Sequence, residues 1–503
     1  MRTLAAVTSA VLLCCFSLLF VTVARGHLVS IAAAAPLGTL SPPPAVSSGN
    51  PAFTALGKLE RDRKADPQKI ATYLSDADPA VEARAAIALG RLGNPAAVPR
   101  LTAILADARK PDKVRSAAAF SLGVIGSPDS VGPLSSTAKA NGSSVAAAAA
   151  SALGRIGGAT AVDVLTRLLS QRSADVRAQA AVGLGEAALP GSASIDNQHR
   201  EAAAGGLASA ILTERDPEVR WRMAWALGRA FYQSQPRTLR RLLTDDQELV
   251  RLFAVRGLGK LKDRSYALPI RLAVNDKSWR VRVEVRNALA ALGDRTAVDV
   301  RPPPVPKADF EEPAPVATSS PHGDHPQVAF VTNKGVIVIE FFPDAAPYSV
   351  DNFLYLVDRG FYSGLQYFRV IADFVVQGGD PKNTGDGGPG YSIPAELNPS
   401  QQLTGILSYG LDYDQRRNVP LIDSAGSQYY ITQSPQLHLD RGFTVFGRVV
   451  KGLSVVYAIS PHNAGDAAAA DVAKRVYRCH PVSVQSADVE EKLRTAEIGY
   501  QPQ

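Results

Sequence analysis

FRVIADFVVQGGDP, Phe368 to Pro381, is the stretch from which the C-terminal third of this chain can be read. It starts as an apolar run rich in β-branched residues, the composition of a strand packed against a core. Within it stand one arginine, Arg369, and one glutamine, Gln377. Polar groups inside an apolar run need partners, because burying them unpaired is costly. The run breaks at Gly378-Gly379-Asp380-Pro381, a turn signal. Two later runs repeat the pattern, GSQYYITQ from Gly426 and FTVFGRVV from Phe443.

Strand chemistry begins at Gln327. VAFVTNKGVIVIEFF reads as two strands joined at Asn333-Lys334-Gly335, a hairpin signal. APYSVDNFLYLVDRGFY follows as an amphipathic helix with Val350, Phe353, Leu354 and Val357 on one side and Gly360 closing it. Strands and glycine turns then dominate to about Val456, which predicts a closed antiparallel barrel with flanking helices.

The three runs from Phe368, Gly426 and Phe443, in this order and spacing, resemble the cyclophilin-type peptidyl-prolyl cis-trans isomerases. PDAAPYSVDNFLYLVDRGFY is similar to that family's first-helix region, and NTGDGGPGYSIPAELNP to its glycine-rich loop. The resemblance implies isomerisation of X-Pro bonds in protein clients, with no metal, nucleotide or redox cofactor. A peptide bond resists rotation by ~18–20 kcal/mol because the nitrogen lone pair is delocalised into the carbonyl. Catalysis therefore needs a pocket for the proline ring and a fixed donor that favours the twisted amide. The resemblance makes Arg369 the catalytic donor. It implies a substrate pocket of Phe374, Val375, Tyr430, Leu439 and Phe443, with Gln377 and Gln428 binding substrate backbone and orienting the arginine. Gly410 and His438 complete the implied substrate-binding set.

Several positions depart from the family. Phe443 stands where active members usually have a histidine, Tyr430 replaces a phenylalanine, and His438 occupies the place of a tryptophan. Leu411 stands where an asparagine normally bonds substrate backbone. The loop after it is longer by about eight residues, an insertion of the kind surface loops tolerate, and is expected to bring Asp412, Asp414, Arg416 and Arg417 to the pocket rim. Two readings follow: an isomerase, or a low-turnover scaffold that binds proline peptides.

The middle of the chain is built differently. From residue 50 a small-Leu-Gly triplet recurs with its glycine at 57, 90, 123, 154, 185, 228, 259 and 293. A period of ~30 residues marks a solenoid. The one long interval holds PGSASIDNQHR, Pro190 to Arg200, which reads as an inserted loop. In each unit helix chemistry stands at both ends. Asp78 caps a helix with Pro79 in its first turn, Val81, Ala85, Leu89 and Leu92 share one face, and Gly93 supplies a left-handed stop. Asn94-Pro95 then starts a second helix with Val98, Leu101, Ile104 and Leu105 inward. One such hairpin cannot bury its apolar side, whereas a stack can. The pattern resembles short bacterial HEAT-type repeats, so the fold class is multidomain: an all-α HEAT-like superhelix followed by a mainly-β cyclophilin-like barrel.

Residues 51–300 carry 36 Lys and Arg against 25 Asp and Glu, and residues 326–490 carry 12 against 16. A surplus of +11 attracts acidic proteins or nucleic acid, but the charges recur singly, as on a solvated repeat surface. Arg115, Arg177, Arg220 and Arg251 each lie eight residues before a triplet glycine. They form either a ladder gripping an acidic partner or an inter-repeat ladder paired with acids near helix starts, such as Asp175 and Glu218. Trp221, Trp225 and Trp279 suit either core packing or a groove.

Residues 3–23 are almost wholly apolar and follow Arg2, as in a secretory signal peptide or an N-terminal membrane anchor. Cleavage sites lie after Ala24 or within Ala32 to Ala35, and Leu13 before Cys14-Cys15 argues against lipidation. This predicts a protein exported to the periplasmic or extracellular side, where no nucleic-acid partner is expected. With that segment removed Cys479 is the one cysteine left, so no intrachain disulfide forms. The Cys479-His480 and His322/His325 pairs have ligand spacing but no further soft ligands nearby. The expected organisation is a signal or anchor over 1–35, a linker over 36–50, the solenoid over 51–300, a Pro-rich extended tether over 301–326, the barrel over 327–487 and a tail over 488–503. Client proteins, and a protein partner on the solenoid, are the expected ligands.

Overall fold

The computed structural model describes residues 42, 50–140, 144–189, 195–316, 325–414, 416, 419–459 and 471–480. The apolar segment 3–23 with Cys14 and Cys15, the cleavage sites, most of the 36–50 linker, residues 190–194 of the inserted loop, His322, Arg417 and the 488–503 tail lie outside these. Among the described residues no helix is long and apolar enough to cross a membrane.

The repeats form helical hairpins whose first helices are Pro79–Leu92, Asp112–Ile125, Ser144–Ile156, Ala174–Ala187, Pro217–Ala230, Glu248–Lys260 and Trp279–Ala291. The expected caps are present: Asp78 accepts from Ala80 N, Pro79 opens the helix, and Gly93 ends it at φ +67°. First helices stack on one another in succession, and the triplet glycine sits where they cross. A Cβ on Gly154 would come within 2.3 Å of Gly183 Cα, and one on Gly228 within 2.5 Å of the Phe253 carbonyl. The period of the triplet is therefore the period of a near backbone-to-backbone contact. Its two ends differ. A Cβ on Gly57 would meet nothing closer than 3.9 Å, and Gly293 is a left-handed helix stop at φ +75°, so in the last helix Ala290 is the residue in register with the triplet glycine, and it is exposed.

Three of the four arginines eight before the glycine form the inter-repeat ladder, with different acids from those expected, whereas Arg115 meets Asp112 at the start of its own helix (3.8 Å). Arg177 pairs with Glu214 (2.7 Å), Arg220 with Asp245, and Arg251 with Asp276 (2.7 Å). Each of these acids lies six residues before the next arginine of the row, and its backbone carbonyl accepts from that arginine: Glu214 O from Arg220 (3.1 Å), Asp245 O from Arg251 (2.8 Å), Asp276 O from Arg282 (2.7 Å). One residue thus ties two repeats together. The row runs on to Arg282, which the triplet spacing misses because Gly293 is out of register.

In the C-terminal part the strands are β1 Gln327–Thr332, β2 Val336–Phe341, β3 Arg369–Ile371, β4 Val375–Gly378, β5 Ile406–Tyr409, β6 Tyr413–Asp414, β7 Val419–Pro420, β8 Tyr429–Thr432, β9 Val445–Lys451 and β10 Ala473–Cys479. Eight of them run in the order β10-β1-β2-β9-β5-β8-β4-β3, with β6 and β7 a separate hairpin. The sheet closes where the lead-in to β3 meets β10: Gln366 bridges Val472, Tyr367 N donates to Asp471 O (3.0 Å) and Ala473 N to Leu365 O (2.9 Å). Helix Pro347–Asp358 buries Val350, Phe353, Leu354 and Val357, and Phe353 packs among the rings of Phe341, Tyr362, Tyr429 and Phe446. Cys479 is buried in β10, and burial pushes its thiol up to about 12.

The proline-rich segment corrects one expectation. Residues 301–316 are irregular and extended on either side of a short 3-10 helix, Lys307–Phe310, and they are docked rather than a loose tether. Pro315 bridges Cys479, His480 N donates to Ala314 O (3.0 Å), and Val316 N donates to Arg478 O (3.1 Å). A chain with few N–H groups cannot continue a helix, but its carbonyls can receive the free edge of β10.

Among the described residues, helix stack and barrel belong to one compact unit. The barrel rests on the row of first helices, on the face that presents residues six before, three before and one after the glycine, a single helical stripe. Arg84 and Arg91 meet Glu60 and, across the interface, Glu396 at 3.4 and 4.0 Å; Arg91 also donates to Leu397 O at 2.8 Å. Ser151 O accepts from Arg441 (3.2 Å), Arg222 donates to Gln401 Oε1 (3.1 Å), Arg256 pairs with Asp373 (3.0 Å), and Arg280 donates to Gln433 O (3.1 Å). Leu403, Ile406, Leu437 and Val445 of the barrel join the solenoid's own buried apolar cluster. Trp221 and Trp225 are core residues, and Trp279 packs edge-on against Tyr457 at 5.2 Å across the interface.

Candidate active site

Strand register brings the singled-out polar residues together. Arg369 on β3 lies opposite Gln377 on β4, and Gln377 lies opposite Tyr430 on β8. Arg369 Nη1 donates to Gln377 Oε1 (3.1 Å), Gln377 Nε2 to Gln428 Oε1 (3.1 Å), and Gln428 Nε2 to the carbonyls of Gly385 (2.7 Å) and Gly387 (2.9 Å). Each amide accepts on one side and donates on the other, so the chain has one direction and its end fixes the guanidinium. The loop at the opposite end, which carries Gly385, is held in turn by Asp380, whose carboxylate accepts from the backbone of Lys382, Thr384 and Gly385. Gly410 lies beside the chain, where a Cβ would come 3.1 Å from Gln377 Nε2 and 3.4 Å from Gln428 Cβ. Any larger residue there would press on both glutamines.

Beside this chain lies an apolar cluster. Val375, Tyr430 and Phe443 are buried together, and Phe374, Leu411 and Leu439 pack on them half-exposed. The rings of Tyr430 and Phe443 meet edge to face at 5.7 Å, and Arg369 Cζ lies 5.9 Å from the Phe374 ring centre. Burial raises the Tyr430 phenol, so it stays protonated. The arrangement is a pocket with one exposed, permanently charged donor at its edge. Arg369, Phe374, Val375, Gln377, Gly410, Gln428, Tyr430, Leu439 and Phe443 gather here.

His438 stacks on Phe374 with ring centres 6.0 Å apart. Its side chain reaches solvent, yet the surrounding protein strips much of its hydration. That desolvation, then the charges of Arg229, Arg256 and Lys260, hold its pKa down to about 3. The turn before Phe374 is held from the solenoid: Asp373, buried at φ +58°, is clamped by Arg256 of the helix stack. Leu411 leads into the β6–β7 hairpin, on which Arg416 is exposed and donates its N–H to Asp414 (2.9 Å).

Residues 327–481 match the family model described as Cyclophilin type peptidyl-prolyl cis-trans isomerase/CLD, and HEAT repeats match over 52–112, 108–185, 205–270 and 236–300. A peptidyl-prolyl cis-trans isomerase of Synechococcus elongatus is 45% identical over 122 residues, 24% of this chain and 79% of that protein. The chain belongs to the cyclophilin-type peptidyl-prolyl cis-trans isomerases. Peptidyl-prolyl cis-trans isomerase B of Bacillus subtilis is 45% identical over 119 residues, 23% of this chain and 78% of that protein. The crystal structure of a Cryptosporidium parvum cyclophilin type isomerase aligns with TM-score 0.29 and 26% identity, over 31% of this chain and 99% of that one.

What reading the sequence missed is the side of the cyclophilin pocket that faces the repeats. The residue after the triplet glycine is Arg91, Val124, Arg155, Glu186, Arg229 and Lys260 in successive units. A cation directly after Ala-Leu-Gly at Arg91, Arg155 and Arg229, and after Gly-Leu-Gly at Lys260, was the available signal, one position past the motif. It marks the stripe that meets the cyclophilin domain, whereas the noted row eight residues earlier is occupied between repeats.

Proposed function

We propose that this protein isomerises X-Pro bonds of protein clients and so assists their folding, with Arg369 as the catalytic donor. Turnover proceeds by rotation alone. The apolar group of Val375, Tyr430, Phe443 and Leu439 would hold the proline ring. Arg369, aimed by Gln377 and Gln428, would orient the prolyl carbonyl and favour the twisted amide, in which the lone pair is localised on nitrogen. About 10⁵-fold acceleration corresponds to about 7 kcal/mol of preference for that state. A fixed charge beside a dry pocket is suited to supply much of it.

The observation that carries this reading is the directed chain from Gly385 and Gly387 through Gln428 and Gln377 to Arg369. Its test is cis-trans exchange of a neutral Ala-Pro peptide followed by NMR, comparing the wild type with Arg369→Ala. The variant is expected to lose about 10²-fold in kcat/KM, the scale for removing one fixed donor. Equal rates would sink the enzyme reading.

Leu411 and Phe443 favour a second reading. With apolar side chains at both rim positions, substrate backbone finds fewer hydrogen bonds there, which suits a peptide-binding scaffold with little turnover. Binding of the peptide without accelerated exchange would select it.

The repeats are proposed to bind clients or a partner protein. Their inner stripe holds the cyclophilin domain, so client contact on that side is at the cleft the two share. Export, with residues 3–23 as a signal or an anchor, completes the proposal. Fractionation of cells expressing the full chain would test it, and a cytoplasmic pool alone would refute it.

A further inference from the structure

The substrate pocket has a centre and a rim, and different parts of the molecule hold them. Val375, Tyr430 and Phe443 form the buried centre, the first two on the paired strands β4 and β8. Phe374, Leu411 and Leu439 form the half-exposed rim. Each rim residue is tied to a residue that the helix stack grips. Beside Phe374, Asp373 pairs with Arg256 (3.0 Å), which Glu284 of the next hairpin also holds (2.8 Å). Two residues after Leu439, Arg441 donates to Ser151 O (3.2 Å) and Oγ, and it lies 3.7 Å from Glu186. Leu411 is reached by a relay, in which Arg63 pairs with Asp423 (2.7 Å) and the neighbouring Ser424 Oγ accepts from Asp412 N (2.8 Å). Arg63, Ser151 and Arg256 stand at the start, the middle and towards the end of the stack.

The backbone supplies a second observation. Among the described residues four that are not glycine have positive φ, and two of them are Asp373 (+58°) and Arg441 (+57°). Backbone of this kind costs free energy and persists where the surroundings over-determine it. The Asp373 turn is fixed on several sides: Gln433 Oε1 accepts from its N–H (2.8 Å), Ser434 Oγ donates to its carbonyl (2.6 Å), and Arg280 of the stack donates to Gln433 O (3.1 Å). This turn joins β3 to β4, so it also sets Arg369 against Gln377.

We propose that the helix stack holds the pocket rim in its working shape, with Arg256 and Arg441 as positioning residues of the isomerase. The solenoid is then part of the catalytic unit. The proposal rests on the isomerase reading for its reaction, and on the grips and the two strained turns for its mechanism. With a grip lost, the turn relaxes and Arg369 is less well aimed, while the strand-borne centre still takes the proline ring. The loss therefore falls on turnover rather than on binding.

The test uses the full chain and an Ala-Pro peptide. Exchange at saturating peptide is followed by NMR, dissociation constants by titration calorimetry, and rates are divided by the folded fraction from urea titration. Arg256→Gln is expected to lower kcat about tenfold and to leave Kd within about twofold, the signature of misplacement at the reacting centre. Arg256→Lys keeps a cation opposite Asp373, though without the planar fork, and should return kcat to within about threefold of wild type. Arg441→Gly accepts φ +57° without strain but lacks the grip, and should lower kcat about fivefold. Arg100→Gln/Arg109→Gln, at two exposed solenoid positions, should leave kcat unchanged. Wild-type kcat in Arg256→Gln, a fall matched by an equal rise in Kd, or no recovery with lysine would overturn the proposal. If wild type and Arg369→Ala exchange the peptide equally, the isomerase reading fails, and amide hydrogen exchange alone decides the grips. Faster exchange at 371–374 in Arg256→Gln and at 439–442 in Arg441→Gly supports them; unchanged exchange removes them.

Discussion

Two rows of arginines run along the same first helices and do opposite work. The row eight residues before the triplet glycine faces the neighbouring repeat. Arg177, Arg220 and Arg251 each take a carboxylate from the next unit and a carbonyl from their own. The row on the inner stripe, with Arg84, Arg91, Arg222 and Arg256, reaches out of the solenoid to the cyclophilin domain. Residue type is shared; what differs is the angle around the helix. A two-residue change of register, about 200° on a helix of 3.6 residues per turn, is enough to turn a brace between repeats into a bracket between domains.

Breaking the contact that both rows depend on should have the largest effect. Gly154→Val places a branched side chain where the next helix leaves 2.3 Å, and is expected to cost more than about 4 kcal/mol by overpacking, read as loss of the folded array in a urea titration. An unfolding midpoint close to wild type would refute the backbone-contact account of the repeat. Next comes the brace. Arg251→Ala leaves Asp276 buried without its guanidinium, and about 3 kcal/mol is expected from breaking such a pair. Hydrogen exchange should quicken in helix Glu248–Lys260 while the turn before Phe374 remains protected.

The bracket should show the converse. In Arg256→Gln the carboxylate of Asp373 loses its charged partner, so exchange should quicken at residues 371–374, and kcat/KM should fall by about tenfold, because Phe374 is then less well placed. The cost in global stability is expected to be smaller, about 2 kcal/mol. If Arg251→Ala and Arg256→Gln disturb the same amides, the two rows are not separable and the comparison fails.

The smallest expected effect is on pH dependence. Burial, reinforced by Glu186, raises Asp440 to about 7 against an ordinary value of 3.8. Its folded-state pKa is above its unfolded one, so it favours folding at low pH, and that contribution is lost as pH rises from about 4 through about 7. His438, lowered to about 3 from 6.5, has the opposite sign and disfavours folding as pH falls below 6.5. Asp440→Asn should therefore flatten the decline of the urea midpoint between pH 4 and 7, and His438→Gln should reduce the loss on the acid side. An unchanged slope in Asp440→Asn would show that the carboxyl does not titrate in this window.

Much of the fold follows from local chemistry. Asp78, Pro79 and Gly93 delimit their helix wherever it lies, because capping and left-handed stops act within a turn. The alternation around Asn333-Lys334-Gly335 specifies a hairpin for the same reason. Two features escaped that kind of reading. The 301–316 segment has the composition of a tether, and it docks because β10 leaves an edge open to it. The Arg177, Arg220 and Arg251 pairs use Glu214, Asp245 and Asp276 rather than the nearer helix-start acids Asp175 and Glu218, since the partner is chosen by how repeats stack.

At the site, residue types and order were enough to assemble Arg369, Gln377, Gln428 and the apolar pocket, since paired strands in fixed register carry them to one place. Local sequence thus specifies two folds and the reagents of one chemistry: helical repeats from capping and period, a barrel from alternating strands, and a charged donor beside an apolar run. That the solenoid's inner stripe holds the cyclophilin domain, and that Arg256 clamps Asp373 next to Phe374, emerged only from tertiary contacts. The physical reason is that caps, turns and strand register are short-range, whereas the face a helix turns to a distant domain depends on the accumulated rotation of every repeat between them.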